Sequence, residues 1–163
     1  YSLIADPEAG GGHADRYLAF VANTVKPLID RRYRTETGRT STVIGGSSMG
    51  GLLSLYAVSC APATFGAAIA LSPSIWFAGR DVLRMLERVD PRASRVYLDI
   101  GEQEGSRALD DARMARDVLV KKGFREGDQF RYLEDPDGEH QEAAWGRRFP
   151  AALSFVLGGG RHA

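Results

Sequence analysis

The chain has 163 residues and is 44% hydrophobic. This is enough for one domain with a substantial core and too short for two domains that each have a core of their own. Lys plus Arg equals Asp plus Glu at 21 each, so no net field attracts nucleic acid or an anionic membrane. The single cysteine, Cys60, excludes an internal disulfide, and no apolar stretch approaches the ~20 residues that cross a bilayer. We therefore expect neither a nucleic-acid nor a membrane partner.

The two ends of the chain are glycine-rich, and we predict a flexible lead-in at 1–13 and a frayed tail at 158–163 around a single domain. The first residue is Tyr1, and no signal peptide is visible. A cytoplasmic location is the expectation, which a leader lost with the amino terminus would overturn.

Hydrophobic spacing predicts one helix followed by four strand–helix pairs. The apolar stripe that defines the first helix comprises Tyr17, Leu18, Phe20, Val21, Val25, Leu28 and Ile29. The predicted elements are a helix at 14–32 with Pro27 as a kink or restart, strands at 42–46, 67–71, 96–100 and 129–133, helices at 49–59, 81–89 and 106–122, and a last helical region that Pro150 divides.

Helix punctuation is clearest in the segment 106–122. Ser106 is the predicted N-cap, Lys121 and Lys122 suit the negative end of the helix dipole, and Gly123 stops the helix. Strands that alternate with helices predict a parallel sheet covered on both faces, whose ligands bind at the carboxyl ends of the strands.

Ser48 follows one of these strand ends, in the motif Gly-x-Ser-x-Gly at 46–50. Between a strand and a helix, this motif forms a sharp turn that exposes the serine hydroxyl, and we expect a Cβ at Gly46 or Gly50 to collide with neighbouring backbone. The motif therefore predicts a nucleophile. The alternative is an ordinary glycine-rich turn with a surface serine.

Two phosphate-binding interpretations of the same loop fail on a required residue. A Walker A loop needs a lysine after Gly50, where Gly51 stands. A dinucleotide fingerprint needs glycine where Ser47 or Ser48 stands, depending on its starting point.

A serine nucleophile needs a base, and only three histidines are present. His13 precedes Ser48, whereas doubly wound hydrolases have the chain order serine, acid, histidine. His162 lies in the glycine-rich tail, where nothing would orient its ring. His140 remains, in the loop after the fourth strand and on the same sheet edge as Ser48. A solvated loop histidine is the alternative.

The acid is expected in the loop after the third strand, at 101–105. We favour Glu104, three residues past the strand-ending glycine, with Glu102 as the second choice. Asp99 lies within the strand, where its side chain is expected to face a helix or make a structural hydrogen bond. For the oxyanion hole the sequence offers one donor, the backbone N–H of Met49 at the positive end of the following helix.

These segments together resemble the putative esterase family of α/β-hydrolases, which includes esterase D, the enterochelin and salmochelin esterases, some feruloyl esterases and the antigen 85 mycolyltransferases. The similarity covers nearly the whole chain. The segments that carry it are 32–35 (RYRT), 46–52 (GSSMGGL), 71–76 (LSPSIW), 99–104 (DIGEQE) and 138–145 (GEHQEAAW).

The resemblance implies a three-layer α/β-hydrolase fold with a mainly parallel sheet. By carry-over, Ser48 matches the nucleophile, Glu104 the acid and His140 the base. The loop that contains Trp76 matches a segment that lines the active site, so Trp76, together with Ser47 beside the nucleophile, is a candidate substrate-binding residue.

The chain departs from the resembling family at its front, where family members carry additional strands. One of these strands is followed by the loop that completes the oxyanion hole. We therefore expect this sequence to be the carboxyl-terminal portion of a longer enzyme. The strand before Ser48 would then present an apolar edge, covered by the preceding segment of the same protein or by a second copy.

The resemblance is strongest to the siderophore-esterase-like branch of the family. The leading functional hypothesis is therefore a siderophore-esterase-like serine carboxylic-ester hydrolase that acts on a small-molecule ester through an acyl-enzyme. An acyltransferase, in which an alcohol or sugar replaces water, would use the same residues. A catalytically incompetent binding domain is the non-enzymatic alternative. Three scattered histidines and one cysteine offer no metal-ligand spacing, and no cofactor is expected.

Overall fold

The structure, a computed structural model, describes residues 2, 4–8 and 10–158. Within the segment predicted as a lead-in loop, it places a short antiparallel hairpin of β1 (Ala5–Asp6) and β2 (Gly10–Gly11). The prediction of a tail falls almost wholly outside the described residues, since the last helix ends at Gly158 and 159–163 are not among them.

The first helical segment covers the predicted range in three joined pieces. Helix α1 (Ala14–Phe20) passes through a π-helical turn (Val21–Val25) into α2 (Lys26–Arg32). Pro27, at the start of α2, has no N–H to continue the α-helical bond pattern, so the change of helix type at this point has a local cause.

The apolar stripe of this helix is covered only in part. Leu18 is buried at 4% exposure, but Phe20 is 52% exposed and Ile29 is 41% exposed. The stripe has helical spacing, yet the described residues place little against it, because packing rather than spacing decides whether a face is covered.

In the part of the chain that the structure describes, four parallel strands form the main sheet, in the order in which they occur along the chain. Helices follow each strand, which confirms the predicted repetition of strand and helix. The strands are β3 (Val43–Ser47), β4 (Ala67–Leu71), β5 (Arg95–Gly101) and β6 (Phe130–Asp135), and the helices are α3 (Met49–Cys60), α4 (Asp81–Leu86), α5 (Ser106–Lys122) and α6 (Glu142–Gly158).

Helices cover both faces of this sheet, as alternation along the strands requires. On one face, Ala68 and Ala70 of β4 pack in the core that α3, α4 and α5 share, with Leu52 of α3 at its centre. On the other face, Ile69 of β4 packs against α6, where Val156 is buried. The fold is therefore the predicted three-layer α/β arrangement.

The two central strands and the edge strand β3 differ in burial. Every residue of β4 is buried, whereas no residue of β3 is fully buried. Within the described residues β3 pairs only with β4, so its other side is an open edge. This agrees with the expectation that the strand before Ser48 lacks a neighbour.

Two helix details differ from prediction. The N-cap of α5 is Gly105, at φ 95°, and Ser106 is the first helical residue. A backbone that leaves the loop with positive φ needs glycine at that point. Helix α6 continues through Pro150 rather than restarting there. Both Pro150 and Gly146, whose carbonyl loses its usual partner, are exposed, so water can replace the missing bond.

Among the helices of the described residues, none combines the length and the apolar character that spanning a bilayer requires.

Candidate active site

Ser48 occupies the turn between β3 and α3 in a conformation rare for a residue with a side chain, at φ 54° and ψ −120°. Its N–H donates to the carbonyl of Leu71 at 2.9 Å, and its carbonyl accepts from Ser74 N–H at 3.1 Å. These bonds tie the turn to the end of β4 on both sides. Strain of this kind persists only where the surroundings hold it in place.

The close packing of this turn depends on Gly46 and Gly51. A Cβ on Gly46 would lie 2.8 Å from the Gly50 carbonyl carbon, and one on Gly51 would lie 3.2 Å from the Leu71 oxygen. The expectation for Gly50 was wrong, because a Cβ there would meet nothing within 4 Å. It is the backbone of Gly50, not its missing side chain, that crowds Gly46.

The structure brings Ser48, His140 and Glu104 into one hydrogen-bonded chain from three separated loops. His140 Nε2 lies 3.0 Å from Ser48 Oγ, and His140 Nδ1 lies 2.6 Å from Glu104 Oε2. An ionised carboxylate only accepts hydrogen bonds, so Nδ1 carries the proton and the lone pair of Nε2 faces the serine hydroxyl. This is the arrangement in which an imidazole can remove a hydroxyl proton.

Burial separates the two candidate acids. The Glu104 side chain is 3% exposed beneath the imidazole, while the His140 side chain is 47% exposed. Glu102 stands at the start of the same 3-10 turn but is exposed to solvent. The turn therefore directs Glu104 inward to His140 and Glu102 outward.

The loops of Glu104 and His140 are held together by two glycines. A Cβ on Gly101 would lie 2.2 Å from the Gly138 carbonyl oxygen, and one on Gly138 would lie 2.7 Å from Gly101 Cα. Beside this contact, the Gln103 N–H donates to the Gly138 carbonyl at 3.0 Å. Only residues without side chains allow the two loops to approach so closely.

A cavity of about 520 Å³ opens over Ser48 and His140. Trp76, 47% exposed, forms part of its wall, and Arg107 lies on its α5 side. Ser47 lies instead in a neighbouring apolar groove of about 470 Å³, which residues of β3, β4 and α6 line together. The structure thus places Trp76 in the wall of the cavity that contains Ser48 and His140, and Ser47 in the wall of a different one.

Met49 is the first residue of α3, directly after Ser48. The amide groups of the first helical turn have no carbonyl partner within their own helix, and they lie at the positive end of its dipole. These features support the prediction that the backbone N–H of Met49 is an oxyanion donor.

Sequence reasoning missed Arg148, the one buried cation beside the site among the described residues. Its Nε donates to Asp99 at 3.0 Å and its Nη1 donates to Asp135 at 3.2 Å. Asp99, fully buried in β5, faces this helix residue as expected. A basic residue between Ala144 and Ala152, which are both buried, was the available signal, since a charge on a buried helix face needs partners.

Burial raises the pKa of Asp99 to about 6, although the Arg148 charge and its hydrogen bond act in the opposite direction. For Arg148, burial alone would lower the pKa, but the carboxylates of Asp99 and Asp135 outweigh it and the net shift is upward. Among the described residues, no group of three or more His, Cys, Asp or Glu side chains is arranged to hold a metal ion.

A parallel sheet with a strained serine turn, followed by an acid and a histidine at later strand ends, defines the α/β-hydrolase class. The chain belongs to the family described as "Putative esterase", whose model matches residues 4–156.

The chain is also similar to individual proteins. The chain is 27% identical over 158 residues to "Uncharacterized protein YbbA" of Bacillus subtilis, covering 93% of this chain and 63% of that protein. It is 38% identical over 82 residues to "Siderophore enterobactin esterase" of Emericella nidulans, covering 50% of this chain and 27% of that protein. The chain thus spans less than two thirds of the length of either relative.

The fold also matches a solved structure, that of the BES protein from Bacillus cereus, with a TM-score of 0.76 at 21% identity. The match covers 93% of this chain and 57% of that one. At this identity the likeness supports the fold, which is the one described above.

Proposed function

We propose that this chain carries the catalytic centre of a serine carboxylic-ester hydrolase. The observation that supports the proposal most directly is the hydrogen-bonded chain from Ser48 through His140 to Glu104. Membership of the esterase family supports the same reaction class.

In the proposed mechanism, Ser48 Oγ attacks the ester carbonyl carbon while His140 Nε2 takes the hydroxyl proton. The carbonyl oxygen becomes an oxyanion that the Met49 N–H stabilises. Glu104 stabilises the imidazolium that forms. His140 then gives its proton to the leaving alcohol, and the acyl group remains on Ser48.

Water completes the cycle in the cavity. His140 removes a proton from a water molecule, whose oxygen attacks the acyl carbon. Collapse of the second tetrahedral intermediate breaks the bond to Ser48 Oγ, which recovers its proton from His140 and releases the carboxylic acid. The exposure of the imidazole, at 47%, gives water this access.

The proposed substrate class is a siderophore ester. It rests on the relative from Emericella nidulans, which carries the name of a siderophore enterobactin esterase, and on the Trp76 wall of the cavity. Aromatic walls suit aromatic acyl groups, because flat rings stack with large apolar contact.

The test compares the complete natural protein with its Ser48→Ala variant on p-nitrophenyl acetate, acetylated sugars and siderophore lactones. We expect stoichiometric labelling of Ser48 by a fluorophosphonate probe, and a loss of hydrolysis of ~10⁴-fold or more in the variant. Hydrolysis that survives Ser48→Ala would contradict the proposal. Ser59→Ala, on the same helix but remote from the turn, is the matched control.

A further inference from the structure

Behind Ser48, His140 and Glu104 lies a buried polar cluster centred on the hydroxyl of Ser72. Ser72 is 1% exposed and directly follows β4. Its Oγ lies 2.5 Å from Glu104 Oε1, 2.7 Å from Arg148 Nη2 and 3.0 Å from Trp145 Nε1. The hydroxyl therefore joins helix α6 to the carboxylate that meets the imidazole.

The direction of each hydrogen bond in this cluster follows from the chemistry of the groups. A guanidinium and an indole N–H can only donate, so Arg148 and Trp145 both donate to Ser72 Oγ. A hydroxyl has two acceptor lone pairs and one hydrogen. With both lone pairs occupied, the single hydrogen of Ser72 is directed to Glu104.

We propose that Arg148 and Trp145 are positioning residues that fix the protonation pattern of the catalytic set through the Ser72 hydroxyl. They make Ser72 donate to Glu104, which keeps Glu104 an ionised acceptor and so holds the proton of His140 on Nδ1. The inference rests on the proposed ester hydrolysis. It adds that residues of α6 determine the protonation pattern on which this hydrolysis depends.

The hydrogen bonds to Glu104 agree with this assignment. Its Oε1 accepts from the Gly101 N–H at 2.9 Å as well as from Ser72, and its Oε2 faces His140 Nδ1 at 2.6 Å. Three donors converge on one carboxylate. A protonated Glu104 would turn a hydrogen of its own towards one of them, so the cluster favours the ionised form.

Charge balance around the cluster depends on Arg148. The Arg148 guanidinium, with its side chain 4% exposed, lies within 4 Å of three carboxylates: Asp99 of β5, Asp135 of β6 and Glu104. His140 faces the same carboxylate from the loop after β6, and Arg107 of α5 lines the adjoining cavity. Removal of the Arg148 charge would raise the affinity of this group of side chains for protons.

The backbone of Ser72 shows how firmly the hydroxyl is held. Its φ of 43° is unusual for a residue with a side chain. The Ser72 N–H donates to the Asp99 backbone carbonyl at 3.0 Å and to Asp99 Oδ1 at 3.1 Å. Side-chain and backbone bonds together maintain a conformation that is unfavourable in isolation.

The test measures kcat, KM and their pH dependence for p-nitrophenyl acetate in the complete natural protein. For Arg148→Met we expect kcat to fall about 10- to 100-fold. This is the range found for residues that orient a metal-ligating histidine through a hydrogen bond, and we apply it here to a catalytic histidine. KM should not change, because Arg148 is buried away from the cavity. The acid limb of the kcat profile should move to higher pH.

Further variants separate positioning from charge. Arg148→Lys keeps the charge without the planar fork, so kcat should fall with little movement of the acid limb. Trp145→Phe keeps a ring against His140, whose centroid lies 4.9 Å from that of Trp145, and removes one donor to Ser72. It should lower kcat less than Arg148→Met. Arg147→Met, an exposed neighbour on α6, is the matched control and should behave as wild type.

A double variant guards against simple misfolding. Asp99→Asn with Arg148→Met restores charge balance, and thermal unfolding shows whether the fold is kept. If the role of Arg148 is positioning, kcat stays low in a folded double variant. Recovery of wild-type kcat would overturn the proposal.

The downfield ¹H NMR resonance of the proton on His140 Nδ1 gives a measurement that does not depend on turnover. We expect it in the wild type and expect its loss in Arg148→Met. An unchanged resonance in Arg148→Met would overturn the positioning role even if hydrolysis is never observed. Absence of Ser48-dependent hydrolysis, with the resonance lost as expected, would instead contradict the proposed reaction alone.

Discussion

The two sides of the site differ in how fully the surrounding protein covers them. The side of Glu104 and His140 is the closed side, and the side of Ser48 is the open side. Glu104 is buried under three converging donors, in loops that two glycines hold in contact. Ser48, in contrast, follows β3, the open edge of the sheet. Beside this edge lies an apolar groove to which Phe149 of α6, 42% exposed, contributes. Within the described residues, Glu104 is thus held by all of its hydrogen-bond donors, whereas the surroundings of Ser48 are open on one side.

This difference has a physical basis. Buried charges are tolerated only when every partner is in place, so the acid–base side must be complete to exist at all. An apolar strand edge that is only partly exposed to water lowers the stability of the fold little, since apolar atoms are common on protein surfaces. A strained turn such as that of Ser48 needs only local backbone contacts, and these come from β4, on the closed side of β3.

Among variants that keep Ser48, the largest effect should follow a change on the closed side. Glu104→Gln keeps the shape of the side chain but removes its charge and reverses the tautomer preference of His140, so kcat should fall ~10³–10⁴-fold. Glu102→Gln, in the same turn but exposed, should leave kcat unchanged. Steady-state kinetics of both variants checks this. Equal losses in the two would contradict the assignment of Glu104.

A smaller effect is expected at the nucleophile turn. In Gly46→Ala the new methyl group would meet the Gly50 backbone at 2.8 Å, so the turn must shift and kcat should fall about 100-fold. Gly50→Ala has free space within 4 Å and should retain most of its activity. The rate of fluorophosphonate labelling of Ser48 compares the two directly. A turn that tolerates both changes would show that the open side is also mobile.

The smallest expected effect concerns stability rather than turnover. The pKa of Asp99 is raised from 3.8 to about 6, so between these values the folded protein binds a proton that the unfolded chain releases. The contribution of Asp99 to the free energy of unfolding is therefore greatest below pH ~4 and is lost as the pH rises through ~6. Relative to Asp99→Asn, the wild type should lose about 2 kcal/mol over this interval.

Chemical denaturation at several pH values measures this difference. Asp117→Asn, whose side chain is 66% exposed, should show no comparable pH dependence and serves as the control. If the difference between the wild type and Asp99→Asn is the same at every pH, Asp99 does not titrate in this window. The closed side would then hold its charges more tightly than its burial suggests.

Local pattern was enough to predict the main elements. The strand 67–71 and the helix 106–122 lie at the predicted bounds because hydrophobic period and stop signals act over a few residues. The structure also places Ser48, Glu104 and His140 at one sheet edge, since parallel strands direct all their carboxyl ends the same way. Their catalytic roles remain predictions that the experiments above test.

Other features depend on contacts that no local pattern contains. The stripe of α1 and α2 has the spacing of a buried face, yet Phe20 and Ile29 are exposed, because the described residues place nothing large enough over them. Of the two motif glycines, a Cβ on Gly46 would collide with backbone, whereas a Cβ on Gly50 would meet nothing within 4 Å. Spacing shows which side chains share a face and not what covers that face.

By itself the sequence determined the alternation of strand and helix, the sharp turn at Ser48 and the set of polar residues at the strand ends, since these depend on neighbours a few positions away. Only the tertiary structure decided that Arg148, 76 residues from Ser72 along the chain, donates to its hydroxyl, and that this hydroxyl in turn meets Glu104. The reason is that a hydrogen bond depends on tenths of an ångström, which the packing of α6 against the sheet fixes and the order of residues does not.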